Sequence, residues 1–158
     1  MHDILIKNAI IIDGTKNNKY KADVAVSGGK IKKIKREIKN TRANAIINAD
    51  GHYLTPGFVD INNHSDTYLT LFTVPGLESL LRQGITTILG GNCGSSLAPL
   101  VSADVLKTIQ KWADITQINL NWLTFNEFLE TLEKRKIGVN FASLVGHSTL
   151  RRGLLKDE

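Results

Sequence analysis

In three short segments of the sequence, polar side chains directly follow apolar stretches that are predicted to be strands. In PGFVDINNHSD, which begins at Pro56, the apolar stretch is followed by Asn62 and His64. In ITTILGGNCGSS it is followed by Cys93, and in GVNFASLVGHSTLRR by His147. Thiolate sulfur and imidazole nitrogen are ligands that suit Zn²⁺. A hydrophobic core does not explain these groups, because burying a polar group unpaired costs about 1–3 kcal/mol.

The elements that would position these residues alternate between strands and helices. After Pro56 the sequence predicts buried strands at GFVDI, ITTILGG and GVNFASLVG, and helices at PGLESLLRQG, over 102–115 and at TFNEFLETLEKR. In the last helix, Thr124 followed by Glu127 is a capping-box signal. The helix residues expected to face the core are Leu77, Leu80, Leu81, Val105, Leu106, Ile109, Trp112, Phe128, Leu129 and Leu132. Such alternation predicts an α/β fold with a parallel sheet, in which the three polar segments share one site at the carboxyl edge.

Residues 1–55 follow a different pattern, of short strands separated by turns. Gly28-Gly29 lies between two strand-like stretches and predicts a tight hairpin, and Asp50-Gly51 predicts a turn between two more. Five or six short strands in this region indicate a small β-sheet or half of a sandwich, which needs a partner surface to bury its apolar face. We place the domain boundary near residue 55, at LTPG.

The overall composition indicates a globular chain. It has 158 residues, of which 42% are hydrophobic, so it can bury a core. A single cysteine excludes an intramolecular disulfide and fits a reducing compartment. The N-terminus shows no secretory signal, and no apolar run approaches the roughly 20 residues that span a bilayer. We therefore expect a soluble, cytoplasmic protein that does not bind membranes.

The positive charge of the chain is concentrated at its beginning. The net charge is +5, and residues 1–42 hold 11 Lys plus Arg against 4 Asp plus Glu. Nucleic-acid binding is one interpretation of such a region. However, the lysines of GKIKKIKREIK are interspersed with Ile31, Ile34 and Ile38, the expected apolar anchors, and this run has no aromatic residues on which bases could stack. We favour a solvated strand face and expect no nucleic-acid partner.

Each candidate ligand also has an ordinary structural interpretation. Cys93 could be a small buried hydrophobic residue, His64 a capping or hydrogen-bonded histidine, and His147 a turn residue. His2 and His52 are expected at the surface. The metal site is favoured because the three polar segments occupy corresponding positions at three strand ends.

At this point the segments resemble a known family. LTPGFVDINNHSD, GITTILGGNCGSSLAP and VGHSTLRRGLL together resemble the D-aminoacylase group (N-acyl-D-amino-acid deacylases) of the amidohydrolase superfamily. The stretch from ILIKNAIIIDGT to ADVAVSGGKIKKI is similar to the small β-domain that precedes the barrel in that superfamily. The resemblance implies a small N-terminal β-sandwich part over residues 1–55, followed over 56–158 by the first three β/α units of an incomplete TIM (β/α)₈ barrel.

The resemblance also implies which residues bind the metal. The His-x-His motif of the family aligns with Asn62-Asn63-His64, so Asn62 replaces the first histidine, and Cys93 aligns with the metal-bridging cysteine. His64 and Cys93 are therefore the expected ligands for one or two Zn²⁺ ions. Asn62 offers a neutral amide oxygen, a poor substitute for imidazole. His147 is expected to line the substrate pocket.

The implied reaction is hydrolysis of the amide bond of an N-acyl-D-amino acid, a carbon–nitrogen bond other than a peptide bond. In relatives, metal-activated water attacks and an aspartate from a later strand acts as general acid/base. No catalytic residue of this kind is identifiable here. A (β/α)₈ barrel takes about 250 residues, and only three of its strands are predicted here. We therefore expect an N-terminal portion with exposed strand edges, inactive without the missing C-terminal barrel portion.

Two alternatives remain open at this stage. The first is a non-catalytic or split-protein module that pairs with a separately encoded barrel half. The second is a cyclic-amide hydrolase of the dihydroorotase or hydantoinase type. Those relatives usually carry a modified lysine where this chain has Cys93, so the cysteine favours the deacylases.

Overall fold

The computed structural model describes residues 1–39, 42–102, 105 and 113–155. These residues form a mixed α/β structure that divides into two compact units, Met1–Pro56 and the residues from Gly57 onward. Most of the helix predicted over 102–115, including Leu106, Ile109 and Trp112, lies outside the described residues. None of the helices in the described parts of the chain has both the length and the apolar character needed to cross a membrane.

The first unit is a single five-stranded sheet. Its strands are β1 (His2–Ile11), β2 (Tyr20–Ser27), β3 (Lys30–Lys35), β4 (Ala43–Asn48) and β5 (Tyr53–Leu54). Their order is β3-β2-β1-β4, and β5 pairs with the end of β1. Strand β1 is antiparallel to β2 and parallel to β4 and β5. Two small apolar clusters form its core, one of Ala9, Ile11, Ala22 and Val24 and the other of Leu5, Ala25 and Ile38.

The hairpin between β2 and β3 confirms the glycine prediction. Gly28 and Gly29 have φ angles of +59° and +69°, the left-handed conformation that tight hairpins require. All six residues of β3 are exposed, as expected for the lysines. The expectation that Ile31 and Ile34 anchor this stretch was wrong, because β3 is the edge strand of its sheet and both side chains are exposed. Of the three isoleucines, only Ile38 is buried.

His2 and His52 were both predicted at the surface, and only His52 is exposed. His2 is half-buried, and its Nδ1 lies 3.0 Å from the Ser27 hydroxyl on the neighbouring strand.

A buried carboxylate ties the first unit together. Asp23 is 2% exposed and accepts hydrogen bonds from the Lys7 ammonium, from the Asn8 N–H at 2.9 Å and from the Ile38 N–H at 2.8 Å. Burial raises the pKa of Asp23, but these hydrogen bonds outweigh it and hold the pKa below its ordinary value. The stabilisation is therefore present at neutral pH, and it is lost as the pH falls below the ordinary carboxyl range and through the folded pKa.

We expect Asp23→Ala to destabilise the first unit by about 3–5 kcal/mol, because it leaves the Lys7 charge without its buried partner. Amide hydrogen exchange of β1 and β2 peptides measures this loss directly. The matched control is Asp50→Ala, which removes an exposed ion pair with Lys21 and should cost less than about 1 kcal/mol. Equal effects of the two variants would contradict the structural role of Asp23.

The second unit contains the predicted parallel sheet. Its strands β6 (Phe58–Asp60), β7 (Ile85–Gly90) and β8 (Asn140–Ser143) lie in the order β6-β7-β8, and both pairings are parallel. Its helices are α1 (Thr70–Thr73), α2 (Glu78–Leu81), α3 (Phe125–Arg135) and α4 (His147–Leu154). Short 3₁₀ turns cover Asn92–Gly94 and Ile115–Gln117.

Helix α3 begins and packs as its sequence indicates. The Thr124 hydroxyl accepts from the Glu127 N–H while the Glu127 carboxylate accepts from the Thr124 N–H, which is a complete capping box. Phe128 and Leu132, four residues apart on one stripe, are buried. The prediction that Leu129 faces the core was wrong, because one residue turns the helix by about 100° away from that stripe. Leu81 of α2 is likewise exposed.

The core of the second unit gathers around three aromatic rings. The rings of Phe72 and Trp122 stack with centroids 5.2 Å apart, and the Trp122 and Phe128 rings are 5.3 Å apart. The Trp122 N–H donates to the Leu97 carbonyl at 2.8 Å, so the buried indole is satisfied.

The outer strands of the parallel sheet are more exposed than predicted. Phe58 and Val59 on β6 are 55% and 59% exposed, and every second residue of β8 is exposed. The prediction of three buried strands was therefore wrong for β6 and β8. The reason is their position, since only β7 has a partner strand on both sides among the described residues. Ile88, at the centre of β7, is fully buried.

Candidate metal site

The loop after β6 is built from short hydrogen bonds between neighbours. The Asp60 carboxylate accepts from the Asn63 side-chain amide at 2.8 Å and from the Asn62 N–H at 3.1 Å. The Asn63 side-chain oxygen accepts in turn from the Ser65 N–H at 2.9 Å. The bonds from Asn63 and Asn62 hold the pKa of Asp60 below its ordinary value. The polar cluster that follows the strand is thus a hydrogen-bonded turn leading to His64.

The loop after β7 has a backbone that glycine makes possible. Gly91 and Gly94 have φ angles of +73° and +77°, and Cys93 between them has +56°. A Cβ atom on Gly91 would lie 2.0 Å from the Leu144 carbonyl oxygen, so no other residue fits there. The Asn92 side chain donates to the Leu89 carbonyl at 2.7 Å and to the Asn63 carbonyl at 3.2 Å. These contacts hold the turn that presents Cys93.

These two loops bring His64 and Cys93 together. The distance between His64 Nε2 and Cys93 Sγ is 3.8 Å. The cysteine is exposed, so the interpretation of Cys93 as a buried hydrophobic residue was wrong. The pair opens into a cavity of about 200 Å³ lined by His64, Thr67, Tyr68, Asn92, Cys93 and Ser95. This volume is below the roughly 300–1,000 Å³ of complete small-molecule pockets.

The separation of the two donor atoms fits a single metal ion. With Zn–N of about 2.0–2.1 Å and Zn–S of about 2.3 Å, tetrahedral geometry places the two donors about 3.6 Å apart. The observed 3.8 Å is close to that value. Within the described residues no third His, Cys, Asp or Glu joins them. The donor set therefore fits Zn²⁺ and supplies two of the four ligands of a tetrahedral site.

The sequence of this chain is similar to those of known deacylases. The chain matches no family model. It is 34% identical to an N-acyl-D-aspartate deacylase and 32% identical to a D-aminoacylase, both from Alcaligenes xylosoxydans xylosoxydans. Each alignment covers 98% of this chain, but 30% and 31% of the two relatives. The chain is a homologue of the D-aminoacylases.

Solved structures agree with this assignment. The N-acyl-D-glutamate deacylase of Bordetella bronchiseptica, complexed with zinc and a phosphonate mimic of the tetrahedral intermediate, matches with a TM-score of 0.80 and 31% identity over 99% of this chain. A D-aminoacylase with a binuclear metal centre, in which one metal activates and the second attenuates, matches with a TM-score of 0.85 and 32% identity over 99% of this chain. This chain covers 32% of each, so the homologue spans about a third of the length of its relatives.

Two predicted site residues of the D-aminoacylase homologue are not among the residues that line the cavity. Asn62 is exposed and, among the described residues, is absent from that lining. His147 is exposed at the first position of α4. Its helix is nevertheless tied to the Cys93 loop, because the Gly146 N–H donates to the Ser96 hydroxyl at 2.9 Å and the Ser96 N–H donates to the Thr149 hydroxyl at 2.9 Å. The roles of Asn62 and His147 stay predictions.

The structure adds residues to the site that the sequence did not single out. Thr67 and Tyr68 line the cavity, and the Tyr68 ring meets the His64 ring edge-on with centroids 6.4 Å apart. Asp66 is fully buried beneath the site, and burial raises its pKa above the ordinary value. In the sequence, the only signal for these residues is that they directly continue the polar segment containing His64.

Proposed function

We propose that this chain supplies the first part of the metal site of an amidohydrolase that hydrolyses the amide bond of N-acyl-D-amino acids. The observation that supports this most directly is the 3.8 Å approach of His64 Nε2 and Cys93 Sγ, from the loops that follow two adjacent parallel strands. The deacylase relatives supply the reaction class, since they are hydrolases of carbon–nitrogen bonds other than peptide bonds. They also favour this reaction over hydrolysis of cyclic amides.

The proposal includes an assignment of the two units. The first corresponds to the small β-sandwich part, with its boundary near residue 55, and residues 56–158 to the first three β/α units of a (β/α)₈ barrel. Two observations support the second assignment: the parallel order β6-β7-β8, and the placement of the candidate ligands in loops that follow the carboxyl ends of β6 and β7. Active sites of such barrels lie at that face.

Within the site, Cys93 as thiolate and His64 as neutral imidazole would hold the metal. A bound zinc ion lowers the pKa of a water toward about 7 and polarises an amide carbonyl. Asn92 keeps the cysteine turn attached to the histidine loop, and Tyr68 forms one wall of the cavity. With Asn62 in place of a histidine, we propose that a single metal position, the one served by Cys93, is the occupied one. A reducing compartment such as the cytoplasm would protect this exposed thiol.

The remaining ligands and the general acid/base have to come from the rest of the barrel. Phe58 and Val59 on β6 are exposed, as are Ile61 directly after that strand and Leu144 and Val145 after β8. Exposed apolar edges of this kind mark surfaces that pair with further strands. We propose that the C-terminal barrel portion covers them, and that the 158-residue chain has no deacylase activity alone.

The function is tested by reconstitution. The chain is co-expressed with the C-terminal two thirds of the Alcaligenes D-aminoacylase, loaded with zinc, and assayed on N-acetyl-D-amino acids, their L-enantiomers and dihydroorotate. We expect hydrolysis of the D-substrates alone, and none when the chain carries Cys93→Ala. A zinc-loaded complex that opens dihydroorotate and leaves N-acyl-D-amino acids intact would instead support a cyclic-amide hydrolase.

The need for a barrel partner has its own expected result. Size-exclusion chromatography of the purified, folded chain should show self-association, because apolar strand edges are exposed, and co-expression with the barrel portion should convert it to a discrete complex. A well-folded monomer of 17.4 kDa that does not bind the barrel portion would contradict the proposal.

A further inference from the structure

The fully buried carboxylate of Asp66 joins the two loops that carry the candidate ligands. Its Oδ2 accepts from the Gly91 N–H at 2.7 Å, and its Oδ1 accepts from the Thr67 N–H at 2.8 Å. Gly91 lies two residues before Cys93, and Thr67 lies three residues after His64. One side chain therefore fixes backbone groups on both sides of the site.

The surroundings of Asp66 leave it little freedom to move. Its side chain is 0% exposed, and a Cβ atom added to Gly90 would lie 2.9 Å from its Oδ2 and 2.9 Å from the Phe141 ring. The carboxylate thus fills the space directly beneath the end of β7. The two hydrogen bonds from backbone N–H groups, at 2.7 and 2.8 Å, therefore hold a closely packed side chain in place.

We propose that Asp66 is the positioning residue of this site: through Gly91 and Thr67 it sets the separation of Cys93 Sγ and His64 Nε2, and so the affinity for the metal. This inference rests on the proposed function. It assigns Asp66 no contact with metal or substrate. Partners that orient the ligands of a metal typically change its affinity by about 10–100-fold when they are removed.

Asp66→Asn is the decisive variant, because an amide offers one acceptor oxygen and turns an N–H donor toward the other backbone N–H. In metal-free protein followed by NMR, we expect hydrogen exchange of the Gly91 amide to rise by about tenfold or more. In Co²⁺ titrations we expect the affinity to fall by about 10–100-fold. The unfolding midpoint measured by tryptophan fluorescence separates this local effect from global destabilisation.

Glu127→Gln is the matched control. The Glu127 carboxylate also accepts two backbone N–H groups, those of Leu123 and Thr124, but it caps α3 and bonds to neither loop. It should leave Gly91 exchange and Co²⁺ affinity unchanged.

The outcomes separate the two proposals. Unchanged Gly91 exchange and unchanged Co²⁺ affinity in Asp66→Asn would overturn the positioning role while leaving the metal site intact. A complex of the wild-type chain with the C-terminal barrel portion that binds no Co²⁺ would overturn the proposed function. If Asp66→Asn fails to fold, exchange in the wild type decides: a Gly91 amide no more protected than those of Asn92–Ser95 would contradict the inference.

Discussion

Replacing Cys93 with alanine is expected to abolish the thiolate-to-Co²⁺ charge-transfer absorption of the wild-type chain. Cys93 is the only cysteine in the sequence, so any such band in the wild type reports this sulfur alone. Because a thiolate is one of only two ligands that the described residues bring together, we expect a larger loss of affinity than the roughly 10–100-fold caused by removing a residue that only orients the ligands. Zinc bound per chain should fall in parallel.

His64→Ala should give a different signature. The sulfur is still present, so the charge-transfer band is retained at saturating Co²⁺, while the affinity falls because the imidazole is lost. The two single variants therefore distinguish the two ligands, a result that general destabilisation of the loop would not produce.

His52→Ala is the control for loss of a histidine, since His52 is exposed and lies in the first unit. It should leave both the band and the affinity unchanged. His147→Ala should do the same if His147 lines the substrate pocket. Equal Co²⁺ affinities of the wild type, Cys93→Ala and His64→Ala would rule out the metal site.

The sequence was most informative where local chemistry determines structure. The Thr124–Glu127 capping box and the Gly28-Gly29 hairpin depend on residues a few positions apart, and both are present in the structure. The approach of His64 and Cys93 was also predictable, because parallel strands bring their carboxyl ends to one edge wherever they lie in the chain.

Burial was less predictable, because it depends on neighbours that a local pattern does not contain. GFVDI has the composition of a buried strand, but β6 lies at an edge of its sheet and Phe58 is more than half exposed. The prediction that Ile31 and Ile34 are buried anchors was wrong for the same reason, because β3 is also an edge strand. Along a strand, period and composition report which residues are apolar, whereas the elements that pack beside and on top of the strand decide whether they are covered.

Asp66 shows a second limit of sequence patterns. In DINNHSD it is one acidic residue among several polar ones, and nothing marks it as the buried one. Its role becomes visible only when Gly91, 25 residues further along the chain, is placed against its carboxylate. Long-range partners of this kind are set by the register of β6 against β7, in which Asp60 pairs with Ile88.

Gly91→Ala is expected to destabilise the second unit severely. The residue has a φ of +73°, and an added Cβ atom would lie 2.0 Å from the Leu144 carbonyl oxygen and 2.7 Å from its carbon. The left-handed conformation costs an alanine about 1–2 kcal/mol. Relieving the backbone clash adds about 1–3 kcal/mol, as overpacking does elsewhere. The sum is a large part of the roughly 5–15 kcal/mol that stabilises a typical domain.

Tryptophan fluorescence during urea unfolding reports the stability of the second unit. Both tryptophans follow Gly57 in the sequence, and Trp122 is buried in the core of that unit. Gly51→Ala separates the two costs. Gly51 has a φ of +80° with nothing within 4 Å of an added Cβ, so it carries the conformational penalty without the clash. We expect Gly51→Ala to lower stability by about 1–2 kcal/mol, seen in hydrogen exchange of the first unit.

The same variant links the stability of the loop to metal binding. If Gly91→Ala survives by shifting the backbone away from Leu144, the Gly91 N–H moves off the Asp66 carboxylate and Cys93 moves with it, so Co²⁺ affinity should fall even in the folded fraction. A Gly91→Ala chain with the unfolding midpoint and Co²⁺ affinity of the wild type would show that the Cys93 turn does not need this close approach to Leu144.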